Sequence, residues 1–163
     1  MVRKYLSRFV LAALCVATLV LGTSAQMPNP YGAPVTLEQA KKIAAPAMAE
    51  ATKNNWNMAV AVVDPSGNLV YYEKMDATQL GSANLAVEKA RSAALFKRPT
   101  KAFQDTLAGG GDGLRVLKVT GGMPIEGGLP LLIDGKIVGA IGVSGGTSAQ
   151  DGQCAKAGAD TIK

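Results

Sequence analysis

Fifteen of the 19 glycines in this 163-residue chain lie beyond residue 108. The second half therefore carries little side-chain bulk and has to form turns and strands whose backbones approach closely, which leaves most of the helical mass to the first half. Helix signals there are clear. Thr36 followed by Gln39 is a capping-box pattern that opens a helix to about Asn54, with Leu37, Ala40, Ala44, Ala47, Met48 and Ala51 as its apolar stripe and Pro46 as an expected kink or break. Ser82 stands where it can cap a second helix running to Phe96, Pro99 ends that helix, and Thr100 begins a third through about Leu107.

Strands fill the spaces between. Met58 to Val63 is continuously apolar and rich in Val, the pattern of a strand covered on both faces, and Asp64-Pro65-Ser66-Gly67-Asn68 turns it into a partner over Leu69 to Lys74. In the glycine-rich half, strands are expected at Pro124 to Glu126, Leu129 to Ile133 and Lys136 to Ser144, with Asp134-Gly135 as a tight hairpin turn and a last helix near Ser148 to Ile162. Hairpins in place of long crossovers make the sheet antiparallel. The fold class is α+β, about five antiparallel strands with helices packed on them.

The beginning of the chain sets an expected compartment. Arg3, Lys4 and Arg8 precede an apolar run from Phe9 to Leu21 and then Gly22-Thr23-Ser24-Ala25, which reads as a secretory signal peptide over residues 1–25. This run of thirteen residues, apolar except for Thr18, falls short of the ~20 that span a bilayer, so no stable membrane insertion is expected after cleavage. The implied location is periplasmic or secreted. Residues 26–35, with Pro28, Pro30 and Pro34, read as an extended arm that could lie across a neighbouring subunit, and residues 36–163 as one domain. Cleavage removes three of the 17 Lys and Arg and none of the 12 Asp and Glu, so 14 cations face 12 anions and the net charge falls to +2. Such a balance does not call for nucleic acid.

After cleavage Cys154 is the only cysteine, which rules out an internal disulfide and leaves a small buried thiol as the ordinary reading, with inter-subunit pairing or reactivity as alternatives. Histidine is absent altogether. Ser-His-Asp catalysis, most zinc sites and the usual haem ligand go with it.

Three segments stand out for chemistry. Lys89, Arg91, Lys97, Arg98 and Lys101 form the densest positive stretch, readable either as a solvated helix face or as a clamp for carboxylate or phosphate groups. Lys89 shares a helical face with Ala86, Ala90 and Ala93, so it either snorkels past the sheet or points into a pocket. Ser144-Gly145-Gly146-Thr147 joins an apolar strand to a helix start, where backbone N–H groups favour negative charge, steric relief being the plainer alternative. In Gly121-Gly122-Met123-Pro124-Ile125-Glu126-Gly127-Gly128, two glycine pairs frame a methionine and a carboxylate, an arrangement that lets backbone approach a flat ligand and that turn chemistry explains equally well.

Taken in order, Ala59-Val60-Ala61-Val62-Val63-Asp64, Lys89-Ala90-Arg91-Ser92-Ala93-Ala94-Leu95-Phe96, Arg98-Pro99-Thr100-Lys101, Gly127-Gly128-Leu129-Pro130, Ile137 to Gly145 and Asp151-Gly152 resemble the GlcG/HbpS-like family. The likeness spans nearly all of the chain after the signal segment. It implies a profilin-like domain, assembly into homo-oligomers, and binding of haem or another tetrapyrrole, with haem degradation as the one enzymatic activity to expect and no catalytic residue assigned. The ligand-binding candidates are then Lys89, Lys97, Arg98 and Lys101 with Ser144, Gly145 and Gly146. Lys97, Arg98 and Lys101 would hold propionates, and a groove lined by Gly139 and Gly142 would take the ring. Without histidine, Met123 is the candidate axial ligand, with Met75, Tyr71, Tyr72, Cys154 and Thr120 as alternatives. A different reading uses Ser144-Gly145-Gly146 and Arg98 to hold a small organic anion, with no iron chemistry.

Overall fold

Strand β1 (Ala59–Val63) lies inside a four-stranded antiparallel sheet of order β2-β1-β4-β3, with β2 at Leu69–Lys74, β3 at Gly128–Ile133 and β4 at Lys136–Ser144. The computed structural model describes residues 29–162, and the expected signal segment falls outside them. Its unbroken apolar run follows from cover on both sides. Val60 and Val62 face a core with Ile43, Ala44 and Ala47 of α1 (Leu37–Lys53), Leu131, Ile141, Val143 and Cys154 of α4 (Ser148–Ala159). Ala59, Ala61 and Val63 face Ala86, Ala90, Ala93 and Ala94 of α2 (Ser82–Leu95).

Local signals hold at several points. Thr36 and Gln39 make both bonds of the capping box, and α1 then runs undivided through Pro46. Burial of Ile43, Ala44, Ala47 and Ala51 outweighs the ~3 kcal/mol that an interior proline costs. Asp134 and Gly135 both take positive φ, 50° and 71°, and close the β3–β4 hairpin as a primed turn.

Elsewhere tertiary contacts change the outcome. Pro124 to Glu126 is a loop and not a strand, because its neighbours are held by side chains instead of a ladder: Met123 N–H donates to Ser92 Oγ (3.0 Å) and Glu126 N–H to Gln104 Oε1 (2.8 Å). The sheet therefore has four strands where about five were expected. Ser82 is the first helical residue of α2 and caps nothing, since its buried hydroxyl accepts from Ser144 Oγ at 3.1 Å. Within the arm, Gly32 and Val35 donate to the carbonyls of Ile137 and Val138, each at 2.8 Å, and Tyr31 bridges Ile137. Residues 29–35 thus line their own β4 where β1 has ended, at Val63 opposite Ala140. A short α3 (Thr100–Ala108) leads into a 3₁₀ helix over Gly111–Lys118 that no sequence pattern announced. Among the described residues no helix is long and apolar enough to cross a membrane.

The glycines of β3 and β4 let α2 press onto the sheet. A Cβ on Gly142 would stand 2.0 Å from the Ala86 carbonyl oxygen, and one on Gly128 2.3 Å from that of Lys89. Gly139 is closed in the same way by the Val63 carbonyl, at 2.2 Å. The expected ring groove at Gly139 and Gly142 is therefore occupied by the protein's own backbone.

Candidate functional site

Lys89 goes inward. Its side chain has no exposure, and its ammonium donates to Asp151 Oδ2 (2.6 Å) and to the Val143 carbonyl (3.1 Å), tying α2 to α4 around the end of the sheet. Gly127 makes the passage, since a Cβ there would lie 2.9 Å from Lys89 Nζ, and its φ of 127° is itself one that side chains avoid. Burial pushes the Lys89 ammonium below its ordinary value and the Asp151 carboxyl above its own, while the bond between them opposes both shifts and the Gly146 and Gly145 amides favour the carboxylate.

That carboxylate also settles what the strand-to-helix turn holds. Gly146 N–H donates to Asp151 Oδ1 at 3.0 Å, and Ser144 turns its hydroxyl to Ser82 inside the protein. The anion at Ser144-Gly145-Gly146 is internal. Arg98 follows the far end of α2, about 21 Å away at 1.5 Å per residue over its 14 residues, so it cannot share a small ligand with this turn. Asp151 escaped the sequence reading, although an acid in the first turn of a helix is a recognisable preference.

The remaining cations do not form one clamp. Lys97 Nζ sits 4.2 Å above the Tyr31 ring, the Arg98 guanidinium lies 5.5 Å from the Phe103 ring, and exposed Lys101 pairs with Asp105. Arg98 donates from Nε to the Phe96 carbonyl at 3.1 Å and does not line the Met123 groove, although Phe103 meets Phe96 edge-on at 5.2 Å and Gly121 of the Met123 loop packs beside the Phe96 ring.

Met123 lines an open groove of about 400 Å³ with Glu88, Arg91, Leu95, Gly121 and Gly122, on the outer face of α2. Ser92 pins the methionine backbone, and Arg91 is fixed by donating from Nε to the Gly67 carbonyl at 3.0 Å. A soft thioether, a guanidinium, the Glu88 carboxylate and an apolar wall meet there; the thioether and guanidinium suit a flat anionic ligand with a soft centre, whose anionic groups would have to lie nearer Arg91 than Glu88. Of the other axial candidates, Thr120 is exposed beside this loop, Tyr71 donates to Glu73 at 2.8 Å, and the Tyr72 hydroxyl is buried with no hydrogen-bond partner among the described residues. Met75 packs against the α1/α4 core. Cys154 is fully buried in that core and burial pushes its thiol up to about 11. An aromatic disulfide reagent should therefore leave Cys154 untouched in the native protein and modify it at once in denaturant; rapid native labelling would show that the core opens.

The chain matches the family model described as haem degrading protein HbpS-like over residues 35–160, and it belongs to that HbpS-like family. It is 43% identical over 109 residues to Protein GlcG of Escherichia coli strain K12, covering 66% of this chain and 78% of that protein. Among solved structures, a double mutant of HbpS from Streptomyces reticuli aligns with a TM-score of 0.74 and 32% identity over 81% of this chain and 89% of that one. PduOC, solved in complex with haem, aligns with a TM-score of 0.71 and 26% identity over 80% and 96%.

Proposed function

We propose that this chain is an exported haem- or tetrapyrrole-binding protein that works as a homo-oligomer outside the cytoplasm and promotes haem breakdown. The observation that carries the site is Met123, held by Ser92 on a glycine-framed loop at a groove it shares with Arg91. Membership of the HbpS-like family and the haem complex of PduOC support the ligand class, and the signal-like residues 1–25 support export.

The donor set passes a chemical test of fit. Thioether sulfur is an established haem ligand, arginine suits propionates, and Leu95 with the glycines offers an apolar contact for a ring. Met123 would face the iron, and Arg91 would take one propionate and offset the Glu88 carboxylate that also lines the groove. Haem would supply the redox chemistry, with peroxide as oxidant.

Titrating the protein with haem should give a saturable Soret band. Met123→Ala is expected to shift that band and weaken binding, whereas an identical spectrum would remove Met123 from the iron. Loss of Soret absorbance on adding peroxide would support breakdown, and a stable spectrum would leave a binding protein only. No Soret change at all rejects the haem reading. The small-anion alternative loses support in its original form, because Asp151 already occupies the amides on which it relied.

A further inference from the structure

The groove beside Lys97 is apolar and shares no lining residue with the Met123 groove. Lys97, Pro99, Leu129, Pro130, Leu132 and Ile137 line about 290 Å³ of it, along the free edge of β3. It does not end there. A second concavity of about 450 Å³ shares Pro130, Leu132 and Ala159 and closes at Asp134 and Asp160. The two make one trough with a cation at one end and carboxylates at the other.

Lys97 at one end and Asp134 at the other lack partners of opposite charge. Asp160 pairs with Lys156, but among the described residues Asp134 meets no cation and Lys97 no carboxylate. Lys97 is nonetheless held in place. It follows the Phe96 cap of α2 with φ 54°, the left-handed position where glycine is usual, and its ammonium rests on a Tyr31 ring fixed by a hydroxyl bond to the Ala94 carbonyl at 3.0 Å. A lysine kept at a strained position, and oriented without a salt bridge, is poised for an external carboxylate.

We propose that the trough along β3 binds a second copy of this chain across a two-fold axis passing near Leu132. A two-fold exchanges the ends of the trough, so Lys97 of each copy meets Asp134 of the other and the apolar floors cover one another. Leu132, 36% exposed in the single chain, would be buried at the centre. Pro130 takes a donor from this edge, so the contact is made by side chains and not by extending the sheet. This inference rests on the homo-oligomer part of the proposed function and names its surface.

Native mass spectrometry and sedimentation of the protein lacking the signal segment, with variants, decide it. Because each contact occurs twice, Lys97→Glu and Asp134→Lys should each raise the dimer dissociation constant at least ~10-fold, and combining them should recover most of the loss. Asp134→Asn, which tolerates the same positive φ, should weaken the dimer in the same sense without a reversed charge. Circular dichroism checks that each variant is folded. A monomer at all concentrations overturns both this interface and the oligomer reading. A dimer indifferent to these substitutions, or one that the double swap fails to restore, overturns the interface alone.

Discussion

Asp151→Ala is expected to lower the unfolding free energy by about 3–5 kcal/mol, the usual consequence of removing one partner from a buried ion pair. The substitution leaves the Lys89 ammonium, with no exposure, the Val143 carbonyl as its remaining hydrogen-bond partner and the unbonded Glu126 carboxylate as its nearby counter-charge, and it frees the Gly146 N–H as well. Denaturant unfolding reads this as a lower midpoint with an unchanged slope. Two further measurements separate the charge pair from simple packing. Acetate or formate should raise the melting temperature of the variant with added concentration and leave the parent unaffected, because a small carboxylate can return to the vacated position. Replacing both partners, as Lys89→Met with Asp151→Leu, should cost less than Asp151→Ala alone, since no charge is then left buried without a counter-charge. A loss below about 1 kcal/mol for Asp151→Ala would mean that Lys89 finds another partner or water, and that the pair does not hold α4 to α2.

Gly142→Ala should be nearly as damaging, about 3 kcal/mol or more, at the upper end of what overpacking costs. The added Cβ would lie 2.0 Å from the Ala86 carbonyl oxygen and 2.5 Å from the Ala90 nitrogen, both backbone atoms of a regular helix. Neither side yields easily. Strand β4 is flanked by β1 and β3, so moving it strains two ladders, and moving α2 disturbs the Lys89 bond to Val143 and the Ser92 bond that positions the Met123 loop. Haem affinity of this variant, measured at a temperature where it stays folded, should fall with the displaced loop. Gly81→Ala is the control, because among the described residues nothing beyond its immediate backbone lies within 4 Å of its Cβ position, and its effect should stay within about 0.5 kcal/mol. Equal losses at the two sites would show that the cost comes from glycine's backbone freedom rather than from helix-to-sheet contact.

The candidate site was only partly legible. Met123 stood out through its glycine frame, and Arg91 through the positive stretch, yet nothing in either segment announced that Ser92 would dock the first beside the second. Lys89 offered two readings, and its place among the alanines of α2 was visible; what could not be seen was Asp151, 62 residues later, waiting under Gly127. The positive stretch misled for a physical reason. Consecutive residues leaving a helix diverge in direction, so Lys97, Arg98 and Lys101 found Tyr31, Phe103 and Asp105 separately.

Features that close within a few residues were readable from residue order. These are the capping box of α1, the two-sided burial of β1, the Asp134-Gly135 turn and the glycine-rich strands able to accept a helix at backbone distance. Tertiary structure decided the rest. It withdrew Pro124–Glu126 from the sheet, laid the arm on β4, filled the amides after β4 with the protein's own carboxylate and put Met123 and Lys97 into grooves that share no lining residue. Capping, alternation and turn chemistry act over a handful of residues and can be read from spacing alone. The partner of a buried charge or an unpaired backbone group depends on which distant segment packing brings within about 3 Å of it.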